Sequence, residues 1–203
     1  MPRLTGKREI VTGWVYDAAT LGVSGIAGRG LQIPNPVAEW DAFQVPAGQQ
    51  GKTPVDTNVT QGAGFLGGVK SFVIKSEVFR VEDGSKTDDV QHIINQGYCT
   101  LKVSDKAYPS PIPIWGIAGG TGIFDNVRSA VAIAGDVRGT IGPGNIANVM
   151  KFHRSLPIPI NTLEPFVFEF RWTPAITITT QADEREGIRV WIVLYGFLKR
   201  QVA

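Results

Sequence analysis

The stretch PFVFEFRW, residues 165–172, alternates aromatic side chains with smaller or charged ones. Successive side chains of a β-strand point to opposite faces of its sheet, so this alternation indicates a strand with one buried face. The opposite face would carry Glu169 and Arg171 and would meet water. Such a strand favours an antiparallel sheet that packs on a core with one side. The residues predicted to face that core are Phe166, Phe168, Phe170 and Trp172.

Other stretches on either side have the same strand character. They include EIVTGWVYD (9–17), VKSFVIKSEVFRVE (69–82), YCTLKVS (98–104) and GIRVWIVLYGFL (187–198). The last is nearly all apolar, which predicts a central strand covered on both faces. Roughly eight strands can be placed between residues 9 and 198. One short helix is predicted at about residues 87–96, where Val90, Ile93 and Ile94 form an apolar stripe before Gly97.

The composition agrees with a chain built from strands. Of 203 residues, 24 are glycine and 13 are proline, which favours many short strands joined by turns. Because helices do not alternate with the strands, we predict an all-β protein, an antiparallel jelly roll or β-sandwich with one short helix. The formal net charge of +2 does not indicate strong nonspecific binding to nucleic acid. No secretory signal is visible at the N-terminus.

Residues 17–63 are rich in glycine and proline and show little periodicity. We therefore divide the chain into residues 1–63, an N-terminal strand with a long extended arm, and residues 64–203, the β-domain. Large apolar groups in such an arm would form an exposed patch that monomeric proteins seldom tolerate. An ordered surface loop is the alternative interpretation. The arm residues predicted to contact a neighbouring subunit are Leu31, Ile33, Trp40 and Phe43.

The glycines of GAGFLGG, residues 62–68, have the G-x-G-x-x-G spacing of a dinucleotide-binding turn. That chemistry needs a strand before the glycines and a helix after them, so that the helix N-terminus faces the pyrophosphate. The preceding PVDTNVTQ is not strand-like, and the following GVKSFVIK alternates like a strand. The glycines therefore indicate a sharp turn into a strand.

Residues that could carry chemistry are few and isolated in the sequence. The two histidines, His92 and His153, and the single cysteine, Cys99, have no partner at metal-ligand spacing. The sequence contains no G-x-S-x-G nucleophile elbow. We therefore expect no catalytic, cofactor-binding or metal-binding residues, no small-molecule substrate and no enzymatic activity.

The order of these features resembles that of single jelly-roll capsid proteins of icosahedral viruses, bacteriophages included. The resemblance covers about residues 65–200 and involves LPIPINTLEPFVFEFRW (156–172) and IRVWIVLYGFLKR (188–200). It implies a structural subunit that assembles in the host cytoplasm with copies of itself and with other virion proteins. In the virion, the N-terminal basic residues would face the interior and contact genome, an internal membrane or an acidic neighbour. These residues are Arg3, Lys7 and Arg8.

A carbohydrate- or ligand-binding β-sandwich, of the kind found in tail or adhesion modules, is the alternative. Small sandwich domains of many functions share this sequence pattern. A binding module would expose an aromatic cluster on its loops, with Trp40 and Trp115 as candidates.

Overall fold

The computed structural model describes residues 8–26, 28, 30–62, 64–67, 70–117, 123–128, 137–141, 158–180 and 186–201. Within these ranges the chain forms eleven strands and two helices. In chain order they are β1 (Arg8–Leu21), β2 (Gln32–Ile33), β3 (Val37–Ala42), β4 (Lys70–Val81), α1 (Thr87–Asn95), β5 (Gly97–Val103), β6 (Lys106–Pro113), α2 (Ile114–Ile117), β7 (Ile123–Arg128), β8 (Val137–Ile141), β9 (Ile158–Ile160), β10 (Phe166–Ile176) and β11 (Ile188–Gln201).

Two sheets contain most of these strands. The first has five strands in the order β2-β1-β11-β4-β9, and the second has four in the order β3-β10-β5-β6. All neighbours pair antiparallel except β1 and β2, which are parallel. β7 and β8 form a separate antiparallel pair. The predicted all-β fold is confirmed, and α1 lies where the helix was predicted. The four-residue helix α2 was not predicted.

The core lies between the inner faces of the two sheets, and β10 is central to it. Its four inward aromatic residues are buried, as the alternation predicted. Phe170 stacks on Trp40 of β3 at 4.9 Å between ring centroids and meets Phe79 of β4 at 5.2 Å. The outer face of β10 is charged, and Arg171 pairs there with Asp41 at 2.6 Å. The Phe170 ring therefore packs against a neighbouring strand of its own sheet and against the opposite sheet.

The prediction of an extended arm over residues 17–63 is wrong for the part of this segment that the structure describes. β3 pairs with β10, and Trp40 and Phe43 are only 1% and 0% exposed within their own chain. Leu31 and Ile33 are partly buried against the same core. These four residues are therefore anchors of the chain's own core and not an exposed intersubunit patch. The pattern was missed because the buried positions of β3, namely Val37, Trp40 and Ala42, do not alternate strictly with exposed ones.

The proposed division at residue 63 does not separate two units in the described structure. Strands from both sides of this position share each sheet, since β1 pairs with β11 and β3 pairs with β10. Of the predicted basic cluster, Arg8 begins β1, whereas Arg3 and Lys7 lie outside the described residues.

Side chains bind the segment after β3 to the part of the β1 edge that β2 leaves unpaired. Asn58 accepts a hydrogen bond from the Tyr16 N–H at 2.9 Å and donates one to the Trp14 carbonyl at 2.8 Å. Deeper in the core, Asp17 of β1 accepts hydrogen bonds from the Phe43 N–H and from Lys52. The bonds to Asn58 satisfy backbone groups of β1 that have no neighbouring strand at this point.

Gly64 of the glycine motif brings the backbone close to the start of β10. Gly64 has a φ of 72°, and a Cβ at this position would lie 1.7 Å from the Phe166 carbonyl oxygen. Its own carbonyl accepts a hydrogen bond from the Phe166 N–H at 3.1 Å. A side chain would break this close approach, so the glycine has a structural role.

An acid lies in the core on the inner face of β4. Glu77 is fully buried, and its carboxyl oxygens have no hydrogen-bond partner in the described part of the chain. Burial raises the pKa of Glu77 from an ordinary value of 4.5 to about 8, because the apolar surroundings disfavour the charged form. Glu77 is therefore protonated in the native protein at neutral pH.

We expect Phe168→Ala to lower the free energy of unfolding by about 3 to 5 kcal/mol, because it leaves a cavity in the core. Denaturant unfolding of purified protein measures this loss. A loss below about 1 kcal/mol would show that the aromatic face of β10 is not packed as described.

We expect stability to fall as pH rises between about 4.5 and 8, since over this range the native state holds a proton that the unfolded state releases. The shift of 8 − 4.5 corresponds to roughly 5 kcal/mol from Glu77. Glu77→Met should remove this pH dependence and stabilise the protein near pH 8. Glu77→Gln is the matched control: it removes the titration but keeps an unpaired polar group. An unchanged pH profile in both variants would contradict the assignment.

Candidate functional site

The outer surface of the five-stranded sheet carries an unusual number of aromatic side chains. On the paired strands β1 and β11, Trp14 lies opposite Tyr195, and Phe197 lies opposite Thr12. Trp14 is 60% exposed and Phe197 is 40% exposed. We use the term aromatic face for this surface, defined by Trp14, Tyr16, Trp191, Tyr195 and Phe197. Exposed apolar patches of this kind mark binding or assembly surfaces in many proteins.

The expectation that β11 would be covered on both faces is not met within a single chain. Its inner residues Val190, Ile192 and Leu194 are buried, but outer residues such as Val193 and Tyr195 are only partly buried. Both the inward and the outward positions of β11 carry apolar residues. By sequence alone, such a strand cannot be distinguished from one that is buried on both faces. The useful signal was that three of its outward positions, Trp191, Tyr195 and Phe197, are aromatic.

Cations lie against the aromatic face. The Lys75 ammonium is 5.5 Å from the centroid of the Phe197 ring, and the Arg189 guanidinium is 5.2 Å from that of Trp191. Arg189 also forms an ion pair with Asp56. Cation–π attraction in these two contacts holds the Phe197 and Trp191 rings in place.

A shallow cavity of about 160 Å³ opens at one end of the aromatic face. It is lined by Tyr16, Arg80, Trp191 and Val193. Arg80 lies opposite Trp191 in the β4–β11 pair and is exposed. Two aromatic walls and a guanidinium could hold a small planar or sugar-like ligand.

The predicted aromatic cluster of a ligand-binding module does not form around the two tryptophans chosen from sequence. Trp40 is buried in the core, whereas Trp115 is 62% exposed in α2. Sequence reasoning missed the residues that do gather on one surface, because Trp14 and Phe197 are far apart in the chain and meet through strand pairing.

The residues screened for chemistry do not come together in the described structure. Cys99 is buried in β5, and burial raises the pKa of its thiol. His92 is exposed on α1, and His153 lies outside the described residues. Among the described side chains, no group of three or more His, Cys, Asp or Glu could hold a metal ion. Neither described helix is long and apolar enough to cross a membrane.

Comparison with known proteins returned no match to a family model, to a curated protein or to a solved structure.

Proposed function

We propose that this protein is a structural subunit of a virus or bacteriophage particle, with a jelly-roll fold and assembly through contacts between copies. The observation that carries the proposal is the nested pairing of eight strands. Without β2, β7 and β8, the first strand pairs with the last, the second with the seventh, the third with the sixth and the fourth with the fifth. These pairs are β1–β11, β3–β10, β4–β9 and β5–β6.

This order supports a jelly roll, in which a long folded hairpin wraps into two four-stranded sheets. Viral capsid domains are a major group that uses this fold, but lectin domains and cupins use it too. Fold alone therefore does not decide the function, and the surface must be considered.

The aromatic face supports assembly between copies. A stable interface buries roughly 800 Å² on each partner, and each Å² of apolar area removed from water contributes about 25 cal/mol. Trp14 of β1 and Phe197 of β11 are large, exposed side chains on two paired strands. Aromatic side chains of this kind are enriched among the residues that dominate binding energy at interfaces.

The partners in this proposal are copies of the chain and other virion proteins, and the location is the virion. Contact of Arg3, Lys7 and Arg8 with genome or an internal membrane remains a prediction, because their side chains lie outside the described structure. The role is structural, with no enzymatic step, cofactor or small-molecule substrate.

A second candidate function is a carbohydrate- or ligand-binding module. The cavity formed by Tyr16, Arg80, Trp191 and Val193 favours it. In that case the aromatic face would bind a ligand and the protein would stay monomeric.

We expect Trp14→Lys to abolish assembly, because it places a charge in the apolar contact. Sedimentation velocity should find large particles for the wild type and monomers for the variant. Trp115→Lys is the matched control, since Trp115 is 62% exposed against 60% for Trp14 but lies in α2, off the aromatic face. It should assemble like the wild type, and both variants should keep the wild-type far-UV circular dichroism spectrum, because neither substitution lies in the core. A monomeric wild type, or a Trp14→Lys variant that assembles normally, would refute the proposed interface.

A further inference from the structure

Asp17 and Lys52 form a pair that is closed off from solvent. Both side chains are 0% exposed, and the Lys52 Nζ lies 2.5 Å from the Asp17 Oδ1. Asp17 belongs to β1, whereas Lys52 belongs to the loop that follows β3, so the contact joins residues 35 positions apart. A buried ion pair of this kind loses the hydration of two charges, and its net contribution to stability is often small.

We propose that Asp17 and Lys52 condense in the folded protein to a side-chain amide, an isopeptide bond that links β1 to this loop. The reaction needs no external reagent. A proton passes from the ammonium to the carboxylate, and the neutral amine attacks Cγ of Asp17. Oδ1 leaves as water with the carboxyl proton and one proton from Nζ, and the nitrogen keeps its last proton in the amide.

The fold holds the reacting groups in a suitable arrangement. Because the fold holds the amine against the carboxyl group, the reaction takes place within one structure. Such positioning is equivalent to a very high concentration of one reactant around the other. The Phe43 N–H donates a hydrogen bond to Asp17 Oδ2 at 2.6 Å. This is the oxygen that would carry negative charge in the tetrahedral intermediate, so the N–H serves as an oxyanion donor.

The backbone at Phe43 fixes this donor. Phe43 has a φ of 71°, a left-handed conformation that is uncommon outside glycine. Its side chain is fully buried and packs on Phe166 at 5.0 Å between ring centroids. Packing of the ring therefore keeps the N–H aimed at the Asp17 carboxyl.

Burial also favours the protonation states that condensation requires. Removal from water raises the pKa of Asp17 and lowers the pKa of Lys52, with their mutual attraction opposing both shifts. Exclusion of water from the pair would in turn protect the amide from hydrolysis. The nearby Asp56 is engaged by Thr53 and by Arg189, so it does not compete for the amine through a direct bond.

The intact mass of the purified full-length chain, measured after denaturation, tests the proposal. We expect the wild type to weigh one water molecule less than its sequence. Lys52→Arg keeps the positive charge but lacks a nucleophilic amine, and should have its full sequence mass. Asp17→Asn should lose one ammonia instead and reach the same final mass as the wild type, because both routes give the same amide.

Peptide mapping then locates the link. The tryptic peptide that contains Asp17 should be joined to one in which Lys52 is not cleaved. A folded wild type with its full sequence mass would overturn the proposal. The same holds if the mass of one water is lost without linked peptides, since a cyclic imide of aspartate would also produce that loss. Neither outcome depends on assembly, so this test is independent of the proposed particle role.

Discussion

The pairing of the first described strand with the last is the constraint on which the rest of the structure depends. β1 and β11 run antiparallel along their whole length, from Arg8 opposite Gln201 to Leu21 opposite Ile188. With the first and last described strands fixed side by side, the intervening strands other than β2 pair in nested order. Long-range pairing of this kind must overcome a large loop-closure entropy, which the buried aromatic core between the sheets offsets.

The inner face of the β1–β11 pair buries apolar side chains, whereas its outer face exposes aromatic ones. Their inner side chains complete the core, while Trp14, Tyr195 and Phe197 on the outer side remain open to solvent in part. The core between the sheets also contains buried ionisable side chains where apolar residues would be expected, namely Asp17, Lys52 and Glu77. Departures from local consistency in natural proteins tend to occur at functional sites. Here Asp17 and Lys52 form the proposed amide, and the exposed Trp14 and Phe197 belong to the proposed assembly surface.

Sequence predicted the features that depend on local pattern. The alternation of PFVFEFRW and the helix near residues 87–96 both rest on neighbours in the chain. β3 and the anchored loop after it were missed, because Trp40 and Phe43 acquire their burial from β10 and β1. The aromatic face was missed for the same reason: strand pairing, and not spacing in sequence, brings Trp14 next to Tyr195.

Electron cryomicroscopy of the purified wild-type protein tests the central claim most directly. The account predicts closed particles in which each subunit is a jelly roll and the outer face of β1 and β11 lies at a contact between copies. Trp14 and Phe197 would then be buried in the assembly. Dispersed single subunits, or particles in which this face remains open to solvent while other surfaces make the contacts, would contradict the account.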